Sequence, residues 1–190
     1  SSLTQQDVTD IKGIDGVKAV APLMLLGGSI SSGDTTPATS SLLATTPSFV
    51  DVTDTPIRDG QFIDSVTNKD TAVIGHQLSI DLFGTEQSIG RNFRTHGTTF
   101  TIIGVLKHVG NPVNYNNVDL DHAAIISLDS GRDFNRGVAA IQQINIRADS
   151  PEKLDTVVKQ AREIVLRNHQ GEDDFTILSG DELARPANEL

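Results

Sequence analysis

Five glycines, at positions 75, 84, 90, 97 and 104, punctuate the segment TAVIGHQLSIDLFGTEQSIGRNFRTHGTTFTIIGVLK at residues 71–107. A segment broken this often has no room for a long helix; it folds as short elements joined by tight turns. Ala72 to Ile74 and Phe100 to Leu106 read as strands, and His76 to Phe83 as a short helix that turns Leu78, Leu82 and Phe83 inward. Gly84 suits the cap of that helix, and Gly90 and Gly97 suit turns with positive φ. Gly104, inside a strand, calls for a bulge or a close backbone approach.

The rest of the chain supplies partners for this segment. Thr4 is placed to accept from the Asp7 amide as the N-cap of a first helix, with Leu3 and Val8 as a hydrophobic staple and Gly13 and Gly16 closing it. Val17 to Ile30 reads as a long strand, and the polar turn Ser31 to Thr36 leads it into a second strand through Leu42, Leu43 and Ala44, a hairpin. Pro47, Pro56 and Gly60, interleaved with Asp51, Asp54 and Asp59, favour turns over any regular element between 47 and 62. The Asn-rich stretch 107–121 reads as a surface loop, Ala123 to Leu128 as a strand and Asp129 to Gly137 as another loop. Gln142 to Ala148 reads as a half-exposed strand, because Ile144 and Ile146 alternate with polar neighbours.

The clearest helix runs from Pro151 to about His169, with Ser150 as N-cap and an apolar stripe of Leu154, Val157, Val158, Ala161, Ile164 and Val165. A final strand, Phe175 to Leu178, completes a β-α-β unit. This order predicts an α+β fold in which the two chain ends, 1–50 and 138–190, form one α/β lobe and 51–137 form a smaller inserted β-rich lobe.

Charge and chemistry narrow the function. A net charge of −10 with no basic run argues against a nucleic-acid partner or docking on anionic lipid. With no cysteine there are no disulfides and no thiolate chemistry. The longest apolar stretch, Val17 to Leu26, is broken by Lys18 and Pro22 and falls well short of the roughly 20 residues of a spanning helix. Opening at Ser1 without a signal-like pattern, the sequence reads as a piece excised from a larger chain.

The five histidines, at 76, 96, 108, 122 and 169, show neither HxH nor HExxH spacing, and no metal site is expected from them. The densest set of ligand-type residues, Asp119-x-Asp121-His122, reads as turn capping beside a strand. Gly27-Gly28-Ser29-Ile30-Ser31 misses the GxSxG nucleophile elbow, and Asp51, Asp54 and the pair Asp173-Asp174 lie in turn-like, solvated surroundings. Neither a GxGxxG nor a Walker A sequence is present. No catalytic residue and no cofactor is therefore expected. The one side chain with the character of a partner anchor is Tyr115, flanked by Asn114 and Asn116 on the polar loop.

The succession Val73-Ile74-Gly75, Leu82-Phe83-Gly84, Ile89-Gly90-Arg91, Gly97 and Phe100 to Leu106 resembles the central signature of the extracytoplasmic domains of MacB-type (FtsX-like) ABC transporter permeases. The opening from Leu3 to Val20 and the close from Ala148 to Phe175 resemble the two ends of the same domain, so the resemblance covers essentially the whole chain. It implies a porter-like lobe built from both chain ends and an inserted Sabre-like lobe, set between two transmembrane helices outside the cytoplasmic membrane. It also implies a non-enzymatic role in mechanotransmission for export or substrate extraction. The expected partners are the chain's own transmembrane helices, a permease homodimer or heterodimer, a cytoplasmic ABC ATPase, fused or separate, and a membrane-fusion adaptor. The alternative is a binding module that holds a peptide, lipoprotein or small amphiphile in a cleft between the lobes; a hydrolase is the weakest reading.

Overall fold

The computed structural model describes residues 3–64, 70–108 and 118–171 and the backbone of 176–179. Along the chain run α1 (Gln5–Lys12), β1 (Val17–Leu26), β2 (Ser41–Thr45), α2 (Phe49–Thr53), β3 (Ile57–Gly60), β4 (Thr71–Ile74) and α3 (His76–Phe83). They are followed by β5 (Asn92–Thr95), β6 (Thr98–Leu106), β7 (Ala123–Ser127), α4 (Leu128–Asp133), β8 (Gln143–Ala148), α5 (Leu154–Asn168) and β9 (Thr176–Ser179), with 3₁₀ turns at Leu120–His122 and Pro151–Lys153.

Among the described residues, nine strands form one mixed sheet in the order β3-β6-β4-β7-β2-β1-β8-β9, with β5 also paired to β6. The class is mixed α+β, as the order of elements predicts. The divisions expected at 51 and 138 fall in α2 and in the stretch between α4 and β8, and strands on both sides of each belong to this sheet. Strand β7, from the expected insertion, pairs in parallel with β2 (Ser41 with Ala123 through Thr45 with Ser127) and antiparallel with β4 (Val73 with Ile125). Strands from both expected lobes thus share one hydrogen-bonded sheet.

The central strands are apolar on both sides because both faces are covered. Val20, Met24, Leu42, Ala44, Ala124, Ile126, Ile144 and Ile146 belong to one core, which α1, α3, α4 and α5 cover with residues such as Val8, Ile11, Leu78, Leu128, Val157, Ala161 and Val165. Their alternating neighbours Ala21, Leu23, Leu43, Val73 and Ile125 face the second core, completed by Phe49 and Val52 of α2 with Phe62, Ile63, Val118 and Leu120.

Helix α1 starts where the sequence places it. The Thr4 hydroxyl accepts from the Asp7 amide at 3.2 Å, and the Asp7 carboxylate accepts from the Thr4 amide at 2.9 Å, closing a capping box. Leu3 and Val8 are both buried in the same core. Thr4→Ala is expected to lower stability by about 1 kcal/mol in urea denaturation.

Three expectations need correction. Residues 47–62 are not all turn: Phe49 and Val52, on one side of a single helical stretch, bury under the sheet and hold α2 together, Asp54 ends it in the left-handed region (φ 52°), and β3 follows. Residues 129–137 are not all loop. The Ser127 hydroxyl caps α4 by accepting from the Ser130 amide at 3.1 Å, and Gly131, which looks like a breaker, is the residue that lets the helix ride against Ala44. Strand β8 is not half-exposed, since Gln143 and Asn145 are each 0% exposed; the unexpected α2 packs under β1 and β8 and covers that face.

The first strand also ends sooner than its composition suggests. At Gly28 (φ 108°) the chain leaves the sheet, and Ser31 then pairs with Arg94 of β5. Gly90 and Gly97 have the positive φ expected of them, and Gly84 caps α3 as expected, with a φ of 72°. No helix among the described residues is long and apolar enough to cross a membrane.

Candidate functional site

Two polar clusters of titratable side chains stand out among the described residues. The first joins the beginning of the fold to its last helix. Asp7 faces inward from the first turn of α1 and is 0% exposed. Asn168, the last residue of α5, donates from Nδ2 to Asp7 Oδ1 at 2.9 Å and also to Asp10 Oδ2 at 2.9 Å. The next residue, His169, meets Asp7 Oδ2 through Nε2 at 2.6 Å; a carboxylate only accepts, so the ring nitrogen is the donor.

Burial alone would raise the Asp7 carboxyl, but the bonds from Asn168, His169 and the Thr4 amide, with the nearby His169 charge, outweigh it and hold the group below its ordinary value of 3.8. With both oxygens engaged by the protein, this carboxylate serves as a latch between α1 and α5. Beside it lies an open groove of about 390 Å³ lined by Thr9, Asp10, Gly13, Ile14, Ile164 and Arg167, among others.

The second cluster forms where β4 passes into α3. A Cβ on Gly75 would lie 2.1 Å from the Leu120 carbonyl oxygen and 2.4 Å from that of Asp121, so only glycine lets the 3₁₀ turn sit here. The Gly75 amide donates to Ala123 O at 2.9 Å and fixes the contact. This brings Asp121 beside His76, the first residue of α3, and His108, just past the end of β6. One side-chain ligand atom from each of the three lies within 4.8 Å of the others. His108 Nδ1 stands 2.7 Å from Asp121 Oδ2, with the Asp121 side chain 12% exposed and that of His108 58%.

His76 Nε2 donates to Glu86 Oε1 at 2.5 Å, and Glu86 Oε2 is paired with Arg58 at 2.9 Å. These two partners, His76 first, lower the Glu86 pKa. The other ring nitrogen, His76 Nδ1, is buried and has no hydrogen-bond partner among the described residues.

The sequence grouping Asp119-x-Asp121-His122 is divided by the fold. Asp119 caps the 3₁₀ turn, accepting from the Asp121 amide at 3.0 Å and pairing with His122 Nδ1 at 2.6 Å, while Asp121 turns away to His108. His76, His108 and Asp121 escape a search for ligand spacing because strand pairing, not one helix or turn, brings them together. Asp7 and His169 escape it for the same reason, although an acid in a capping box and a His at a helix end are each visible singly.

Asn114, Tyr115 and Asn116 lie outside the described residues, as do Asp173 and Asp174. Asp54 is bound by Arg147 Nη1 at 2.7 Å and closes α2. Ser29, the serine of the near-miss GxSxG, lies between the end of β1 and the extended Ser31–Arg94 pairing, without the strand-to-helix turn that exposes a nucleophile.

Among solved structures, the extracellular domain of the noncanonic ABC-type transporter YknZ from Gram-positive bacteria matches with a TM-score of 0.76 at 19% identity, covering 91% of this chain and 87% of that one. The periplasmic region of MacB from Actinobacillus actinomycetemcomitans matches with a TM-score of 0.73 at 15% identity, covering 90% and 76%. The fold is that of the extracytoplasmic domains of ABC-type transporters.

The chain belongs to the MacB-like periplasmic core domain family, which matches residues 1–164. Over 180 residues, 93% of the chain, it is 25% identical to the macrolide export ATP-binding/permease protein MacB of Wolinella succinogenes. The chain spans 28% of that protein's length and less than half the length of other curated relatives that it matches. It is an extracytoplasmic domain of a MacB-like ABC transporter permease, as the central signature implies.

Proposed function

We propose that this domain is a non-enzymatic coupling element of an export system: ATP-driven displacements of flanking transmembrane helices enter it near α1 and α5 and emerge as movement of the whole sheet. The observation that carries this reading is the latch at Asp7. It fastens the first helix to the end of α5 with two charge-assisted bonds, from Asn168 and His169, while both helices pack on the same face of one continuous sheet. Elements joined this way move together, which is what transmission of a small helix shift requires. The direction of transport is taken from the names of two relatives, the MacB protein above and a pyoverdine export ATP-binding/permease protein of Pseudomonas aeruginosa. ATP hydrolysis belongs to a cytoplasmic ATPase, fused or separate, and a membrane-fusion adaptor is the partner that the moving domain would meet.

The test is made on the full-length transporter. Asn168→Ala removes the bonds to Asp7 and Asp10 from a residue at the helix end. It should cost the domain about 1–3 kcal/mol. ATP hydrolysis should continue while cargo exported per ATP falls. Unchanged export per ATP in a folded variant would show that force does not pass through the latch. The same full-length chain is expected to carry apolar helices of roughly 20 residues on both sides of the domain; a hydropathy profile without them removes the reading.

A further inference from the structure

We infer that His76, His108 and Asp121 form a binding site for a divalent transition-metal ion of the zinc class, which clips the ends of β6 and of the 3₁₀ turn before β7 to the start of α3. The chemistry of the donors is the first ground. Two imidazoles and a carboxylate, each with a ligand atom within 4.8 Å of the other two, are the nitrogen and oxygen set that suits Zn²⁺ and neighbouring first-row ions better than Mg²⁺ or Ca²⁺. An ion about 2.0–2.2 Å from each donor needs ligand atoms roughly 3.4 Å apart. His108 is the most exposed of the three and now stands 2.7 Å from Asp121 through Nδ1, so taking up the ion would require its ring to rotate. A fourth position is left for water.

The second ground is the state of His76. Its Nε2–H is committed to the Glu86 carboxylate, so the neutral ring presents its lone pair at Nδ1, and that atom is buried without a hydrogen-bond partner among the described residues. An orphaned buried acceptor is costly by itself. Here it lies on a ring packed 5.3 Å, centroid to centroid, from that of His108. A carboxylate on the far nitrogen of a ligating histidine is the usual outer partner at metal centres, where it fixes the tautomer and raises the basicity of the ligand. Arg58 holds Glu86 in turn.

The third ground is Gly75, whose missing side chain admits the Leu120 and Asp121 carbonyls and so sets the carboxylate opposite the ring. His108 and Asp121 stand on either side of residues 109–117 in the chain. A bound ion would therefore fix both flanking positions to one helix. The chemical role is structural, and no reaction is assigned to the ion.

The test uses the 190-residue chain stripped with EDTA and titrated with ZnCl₂ by calorimetry, with CoCl₂ absorption reporting the coordination. One equivalent of Zn²⁺ per chain, a rise in melting temperature, and Co²⁺ bands of a nitrogen-ligated site are expected. His108→Ala, at an exposed position, should abolish stoichiometric binding, and Glu86→Gln should weaken it roughly 10–100-fold. His122→Ala, in the neighbouring Asp119 pair, should leave it unchanged. Absence of one-to-one binding would overturn the proposal. So would binding that survives in His108→Ala or is lost in His122→Ala, because the ion would then sit elsewhere.

Discussion

Asp7→Ala is expected to lower the stability of the domain by on the order of 3–5 kcal/mol, measured by urea denaturation at pH 7. The size follows from what the substitution leaves behind. The Thr4 amide, the Asn168 amide group and His169 all lose at once a charged acceptor whose own side chain is 0% exposed to water. Asp7→Asn keeps the shape but not the charge and should fall between the variant and the parent. A loss below about 1 kcal/mol in Asp7→Ala would mean that water or local movement replaces the latch.

The same carboxylate makes stability depend on pH. Its folded pKa lies below the ordinary 3.8, so the folded state favours the ionised form. The contribution is complete at neutral and mildly acidic pH, and it is lost as the pH falls below 3.8 and through the folded value. A titration of stability between pH 6 and about 2 should show a drop in the parent that is reduced in Asp7→Asn.

Gly104→Ala should be nearly as damaging, by about 3 kcal/mol or more, for a steric reason. In β6 this residue faces Gly60 of β3 on one side and Val73 of β4 on the other, with the register shifting beside Val73. A Cβ there would lie 2.1 Å from the Gln61 carbonyl oxygen, which belongs to backbone and cannot rotate away. The Gln61 amide is itself bonded to Ile103 O at 3.1 Å, so relief requires opening the β3–β6 pairing. Gly84→Ala is the comparison. Its φ of 72° strains an alanine, but a Cβ at that position meets nothing within 4 Å, and about 1 kcal/mol is expected. At roughly 2–4 °C per kcal/mol for a chain of this size, thermal unfolding separates the two. Equal melting temperatures would refute the close crossing at Gly104.

Much of this architecture is readable from the residues. Strands such as β2 and β7, apolar at consecutive positions, can only be buried on both faces, and the stripe on α5 and the capping box on α1 declare themselves locally. What escapes is whatever depends on a neighbour distant in the chain. Helix α2 hides between Pro47 and Pro56 because two buried side chains, Phe49 and Val52, outweigh the turn-forming composition around them. Without α2 in view, Gln143 and Asn145 look solvent-facing. Gly131 reads as a loop residue until Ala44 is seen against it, its Cβ 2.5 Å from where one on Gly131 would stand.

The candidate sites follow the same rule. His76, His108 and Asp121 have no telling spacing, since β4, β6 and β7 lie side by side in the sheet while being separated in sequence. The family signature was legible because it consists of turn glycines and strand ends, which are local. The two polar clusters were not, because each is assembled across the sheet or between the first and last helices.

The position of β1 carries a consequence for how the chain reaches this state. It is flanked by β2, which is close in sequence, and by β8, whose Ala148 pairs with Val17 across more than a hundred residues. During synthesis the β1–β2 hairpin can form early, but its other edge stays unpaired until β8 has emerged. That edge is apolar and open to pairing with other chains for the whole interval. Closure of this long loop is expected to slow folding more than any local step, and the same interval exposes the domain to aggregation.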